Sequence, residues 1–159
     1  SGAYPLESVA IMDRIAQSVE SDPFYRTIMD ADHPDTRAND TSDAITASAY
    51  HIAQNIDAAA IVTFTTGGTT ALRAARQRPI PPILCLTEKR DVARRLTLSY
   101  GVHPVETLDV QDFDDMVTRA SRIARQHGIA QKGQRLVITA GVPFGTPGST
   151  NILRIANVE

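Results

Sequence analysis

Ala59-Ala60-Ile61-Val62-Thr63-Phe64 is apolar on both alternating faces of an extended chain. Such a run suits a strand covered on its two sides, the position of an inner strand in a parallel sheet packed between helices. It is followed at once by the turn Thr65-Thr66-Gly67-Gly68 and by a helical pattern over residues 69–78. The segment Arg78-Pro79-Ile80-Pro81-Pro82 must end that helix, because proline lacks the backbone donor and restricts the residue before it.

The same rhythm continues along the chain. Residues 83–86 form a second short buried strand, residues 88–99 a helix, 102–108 a third strand and 111–127 a long helix that Gly128 stops. A fourth strand over 135–140 leads into a Gly/Pro-rich loop at 141–148, and residues 151–158 close the chain as a fifth strand. Right-handed crossovers then predict an α/β fold of three layers, α/β/α, around a five-stranded mixed and mostly parallel sheet. The last loop is too short for a helical crossover, so the final strand is expected to run antiparallel.

The N-terminal part reads differently. Pro5 suits the first turn of a helix, and Val9, Met12, Ile15, Ala16 and Val19 recur at three- and four-residue spacing to give one apolar stripe. From residue 21 to 40 the pattern breaks at Pro23 and Pro34 among Asp and His, and a connector is expected. The expected division is therefore a helix at 1–20, a connector at 21–40 and the main domain at 41–159, where Thr41 or Ser42 can cap a helix carrying Ile45, Ala49, Ile52 and Ile56 on one face.

Charge and composition narrow the partners. Sixteen Lys and Arg stand against eighteen Asp and Glu, and pairs such as Lys89-Arg90 and Arg94-Arg95 sit among acids, so no nucleic-acid partner is expected. No apolar stretch approaches the roughly twenty residues that cross a bilayer, no membrane partner is expected, and the first residues lack a signal-peptide pattern. The one cysteine, Cys85, lies in an apolar run, which fits a buried thiol in a cytoplasmic protein.

Chemistry has few places to live. Thr65-Thr66-Gly67-Gly68-Thr69-Thr70 joins a strand to a helix start, where two glycines let backbone N–H groups approach a ligand and hydroxyls and the helix dipole favour an anion. A threonine capping a helix after a glycine turn accounts for the same residues. The loop Gly141-Val142-Pro143-Phe144-Gly145-Thr146-Pro147-Gly148 could close around a ligand or serve as a stiff β-connector, and the two loops become jaws of one site if their strands are neighbours. His33, His51, His103 and His127 show no metal-ligand spacing, so no metal site is expected. Asp112, Asp114 and Asp115 suit a helix start rather than a catalytic dyad. No catalytic residue is assigned.

Several stretches, in order along nearly the whole chain, resemble the C-terminal part of the pyruvate kinase family. They are Gly2-Ala3-Tyr4-Pro5-Leu6-Glu7, Ala60-Ile61-Val62, Thr65-Thr66-Gly67-Gly68, Arg76-Gln77-Arg78-Pro79, Arg94-Arg95-Leu96, Tyr100-Gly101-Val102, and Gly148-Ser149-Thr150-Asn151 with Arg154. The resemblance implies that residues 1–20 are the last helix of the catalytic barrel, without that barrel, and that 41–159 are the regulatory C-terminal domain.

It further implies that Thr65, Thr66, Gly67, Gly68, Thr69 and Thr70 hold an effector's phosphate and that residues 141–148 close over the rest. With small hydroxyls in the first loop and no arginine in the second, a sugar monophosphate or AMP is expected rather than a bisphosphate. The parent enzyme would transfer phosphoryl from phosphoenolpyruvate to ADP, giving pyruvate and ATP in glycolysis, with magnesium and potassium bound in its catalytic domain. These residues alone would be inactive and carry no cofactor, with the parent catalytic domain and the other subunits of a homotetramer as partners. Two alternatives stay open: an assembly domain without effector, and an unrelated phosphate-binding α/β domain.

Overall fold

In a computed structural model the described residues are 2–31, 40–144 and 150–159. They fall into two compact units, divided at Asp35 and Thr36. The first unit contains α1 (Pro5–Glu20) and α2 (Pro23–Ala31). Pro5 begins α1 as expected, and no residue of this helix is buried.

Part of the segment expected as a connector forms the helix α2. Asp22 accepts a hydrogen bond from the Phe24 backbone N–H at 2.8 Å, so Pro23 stands at a helix start rather than at a break. A proline costs nothing there, because the first N–H groups of a helix have no partner inside it.

The second unit runs α3 (Thr41–Asn55), β1 (Ala60–Phe64), α4 (Thr69–Arg76), β2 (Ile83–Thr87), α5 (Arg90–Leu96), β3 (Val102–Glu106), α6 (Phe113–Gln126), β4 (Arg135–Ala140) and β5 (Ile152–Asn157). The sheet order is β3-β2-β1-β4-β5. Four strands are parallel, and β5 pairs antiparallel with β4 in the register Arg135 to Asn157 through Ala140 to Ile152. The α/β fold with its mixed five-stranded sheet is the one the sequence pattern predicts. The third strand ends at Glu106, two residues earlier than expected, and its partner on the β2 side ends at Thr87.

The layering follows from crossover handedness. Passing from β1 to β2 to β3 moves the chain steadily one way across the sheet and puts α4 and α5 on one face; returning from β3 to β4 reverses direction and puts α6 on the other. Side-chain packing follows the strand period of two. Val62, Leu84, Leu86, Leu136 and Ile138 pack with Met116, Ala120 and Ile123 of α6. Ile61 and Val137 meet Ala49 and Ala53 of α3, while Cys85 packs with Ala71, Val92 and Leu96. Each fully buried Leu or Ile of this kind contributes about 1.5–3 kcal/mol by leaving water.

Candidate effector site

The direction of the chain reverses between β1 and β4, and open α/β sheets hold ligands at the carboxyl ends of the strands at such a reversal. The two strands are direct parallel neighbours, with Thr63 opposite Thr139, so the loops that follow them leave the sheet side by side. Adjacency, which the sequence leaves open, is met in the sheet.

A cavity of about 360 Å³ opens there. Of the residues expected in the first loop, Thr65, Thr66, Gly67, Thr69 and Thr70 line it and Gly68 does not. Of the second loop, Gly141 and Phe144 line it while Val142 and Pro143 do not. Gly145, Thr146, Pro147 and Gly148 lie outside the described residues.

The first loop is shaped by its glycines. Gly68 adopts a left-handed conformation at φ 88°, and a Cβ there would stand 3.2 Å from a Val92 methyl and 3.3 Å from a Leu96 methyl. Only glycine fits without strain. The Gly68 N–H donates to Thr65 Oγ1 at 2.9 Å, and Arg95 donates to the Gly67 carbonyl at 2.9 Å, so α5 braces the turn from below. Gly68 is also the N-cap of α4 and offers no side-chain cap, which leaves the first N–H groups of that helix without a side-chain acceptor. An anion is the ligand such a terminus favours.

The second loop is fixed at its base. The Asn151 side chain accepts from the Val142 N–H at 2.8 Å and donates to the Val142 carbonyl at 2.6 Å. Phe144 packs edge-on against Phe113 with ring centroids 5.5 Å apart.

Two further walls come from loops the sequence reading did not single out. Thr87 ends β2 and Glu88 follows it, and Thr107, Leu108, Asp109 and Val110 follow β3. Parallel pairing sends the ends of β1, β2, β3 and β4 to one edge, the signal that could have found them. Arg119 holds the β3 loop by donating to the Leu108 carbonyl at 2.8 Å while bonding Asp115 at 2.9 Å. That bond to Arg119 is the chief reason the Asp115 carboxyl sits below its ordinary range. Arg73 also lines the cavity and pairs with Asp40 at 2.8 Å and Asp43 at 2.9 Å.

The remaining candidates lie elsewhere. Cys85 is buried in β2, and burial pushes its thiol up to about 11, partly opposed by the Thr63 hydroxyl beside it. A thiol held neutral in this way is a packing group, not a nucleophile. Asp112 caps α6 by accepting from the N–H groups of Asp114 and Asp115 at 3.0 and 2.8 Å. Among the described residues, no three or more His, Cys, Asp or Glu gather at one point, and no helix is long and apolar enough to cross a membrane.

Known proteins share this fold. Residues 43–156 match the family described as pyruvate kinase, alpha/beta domain. The pyruvate kinase of Methylorubrum extorquens is 44% identical over 158 residues, covering 99% of this chain and 33% of the relative. That of Agrobacterium vitis is 41% identical over 155 residues, covering 98% of this chain and 32% of the relative. Among solved structures, a pyruvate kinase from Cryptosporidium parvum superposes with a TM-score of 0.83 at 26% identity, over 99% of this chain and 31% of that one. The chain thus spans about a third of the length of these relatives.

Proposed function

The chain belongs to the pyruvate kinase family, matching its C-terminal α/β domain, and on that premise we propose that it is a regulatory unit binding one phosphorylated effector in the cavity above β1 and β4. The observation that carries this reading is the convergence of both loops on one cavity beside an uncapped helix start. The phosphate sits against the Thr65 to Thr70 loop, where backbone donors, hydroxyls and the helix dipole act together.

Charge selects the effector. Arg73 is the one cation among the described lining residues, and Asp40 and Asp43 already neutralise it, while Glu88 and Asp109 add two acids. A second phosphate would meet net negative charge, whereas ribose or hexose hydroxyls can donate to those carboxylates. A sugar monophosphate or AMP therefore fits better than a bisphosphate.

In the parent enzyme the chemistry is transfer of phosphoryl from phosphoenolpyruvate to ADP, as part of glycolysis. We assign no step of it, and none of its magnesium or potassium ions, to these residues. The effector acts at a distance, through contacts with the catalytic domain and between subunits of a homotetramer. The exposed apolar positions Leu6, Val9, Met12 and Ile15 of α1 give that helix a face suited to packing on the catalytic barrel.

A second reading, an assembly domain without effector, is favoured by one observation. The hydroxyls of Thr65 and Thr70 already have partners inside the protein, Gly68 and Thr150. An amide-resolved NMR titration with AMP, ribose 5-phosphate, glucose 6-phosphate and fructose 1,6-bisphosphate separates the two, with inorganic phosphate as control. Saturable shifts centred on residues 65–70 for one monophosphate support the effector reading. Shifts no larger than those of inorganic phosphate, for every compound, sink it.

A further inference from the structure

Two of the four histidines, 24 residues apart in the chain, meet in the fold. His103 Nε2 and His127 Nδ1 lie 2.8 Å apart, with ring centroids 4.9 Å apart and planes at 70°. His103 is on β3 and His127 is the C-cap of α6, and both are exposed.

The fold brings them together for a topological reason. His103 and Val105 point to the same face of β3, and Val105 packs into the cluster that α6 covers. Because α6 carries the chain from β3 back to the parallel strand β4, it runs opposite to the strands and ends over their N-terminal edge. The two rings thus stand at the edge of the sheet away from the effector cavity, and nothing in the reading of that cavity uses them.

In the present arrangement one proton bridges the two facing nitrogens. Each neutral imidazole can instead carry its proton on its outer nitrogen, which leaves two lone pairs at one point. Metal bonds of about 2 Å meeting at right angles put neighbouring nitrogens about 2.9 Å apart, and a tetrahedral centre puts them about 3.3 Å apart. The observed 2.8 Å is the length of the hydrogen bond between the two rings, and it places both nitrogens within reach of one ion. The rings need only swing so that their lone pairs converge rather than meet head-on, a rotation that exposed side chains make freely.

We propose that His103 and His127 form a two-imidazole chelate for a late first-row divalent metal ion, copper(II) foremost. Imidazole suits this ion, and its tetragonal centre accepts two imidazoles in neighbouring positions. No third His, Cys, Asp or Glu joins the pair among the described residues, so water fills the other positions and the ion exchanges readily. The bound ion ties the outer strand β3 to the end of α6, and by binding the paired rings of the folded form more tightly than the separated ones of the unfolded chain it raises thermal stability.

The test is a titration of the protein with copper(II) in a non-chelating buffer, followed by visible absorption and by electron paramagnetic resonance. One equivalent binds, with hyperfine coupling to two nitrogens. His103→Gln and His127→Gln each weaken binding by more than about tenfold, since even the outer partners of metal ligands are worth roughly 10–100-fold, whereas His51→Gln leaves it unchanged. Coupling to a single nitrogen in the unaltered protein, or binding that survives either of the first two substitutions, overturns the proposal. The nitrogen count needs no variant, so it stands even if a substitution perturbs folding.

Discussion

The hydroxyls of Thr70 and Thr150, 80 residues apart in the chain, share a buried hydrogen bond of 2.7 Å. It joins the first turn of α4 to Thr150, two residues beyond the Gly/Pro-rich loop, and the Thr150 N–H in turn donates to Ser42 Oγ of α3 at 3.3 Å. The two jaws of the cavity are therefore fastened to each other on the protein's own side, where no ligand is needed.

Replacing either threonine by valine leaves the other hydroxyl buried and unsatisfied, a loss of about 1–3 kcal/mol, whereas removing both hydroxyls strands neither. Thr70→Val and Thr150→Val are each expected to lower stability by about 1–2 kcal/mol, and the double variant by clearly less than their sum. Urea unfolding of the four proteins measures the coupling, and additive losses would show the bond to be unimportant.

The two glycines of the first loop are predicted to respond differently. An added Cβ at Gly68 meets a left-handed backbone and the Val92 and Leu96 methyls, whereas at Gly67 the nearest atom is Thr69 Oγ1 at 4.0 Å. Gly68→Ala should cost about 1–3 kcal/mol, and Gly67→Ala should stay within roughly 0.5 kcal/mol of the unaltered protein. Thermal unfolding of both variants checks the order, and equal losses would contradict the packing of α5 under the turn.

Asp112 holds two N–H groups at the start of α6, the helix that covers one whole face of the sheet. Asp112→Ala is expected to lower stability by about 1 kcal/mol, the usual worth of an N-cap, and Asp112→Asn by much less because its side-chain oxygen still accepts. Chemical denaturation of the pair tests this, with equal effects pointing to charge rather than capping.

Stability should fall on the alkaline side through Cys85. The folded thiol keeps its proton up to about pH 11, while an ordinary thiol loses it near 9.0. Between those values the unfolded chain binds fewer protons, so the contribution of the neutral thiol is complete below pH 9 and lost as pH rises toward 11. Relative to Cys85→Ala, the unaltered protein is expected to lose about 2 kcal/mol between about pH 8 and pH 10.5. Parallel pH dependence of the two in urea unfolding would mean that the thiol ionises freely in the fold.

Much of this architecture is local and so was open to reading from the residues. Two-sided apolar runs such as Ala60 to Phe64 specify covered strands, Gly67-Gly68 specifies a tight turn, and the prolines after Arg78 specify where a helix stops, because each effect acts within a few residues of its cause. The helix at Pro23 was missed because one residue type marks both a break and a helix start, and only the cap from Asp22 distinguishes them. Strand neighbours are another matter. That β4 lies beside β1, that Thr150 reaches Thr70, that Glu88 and Asp109 share a cavity with Thr65, and that His103 meets His127 all depend on how distant segments pack. The sequence alone determined the alternating elements and the glycine turn between β1 and α4; the tertiary structure decided which loops face one another, because contacts between distant segments are selected by the packing of the whole sheet and leave no local trace.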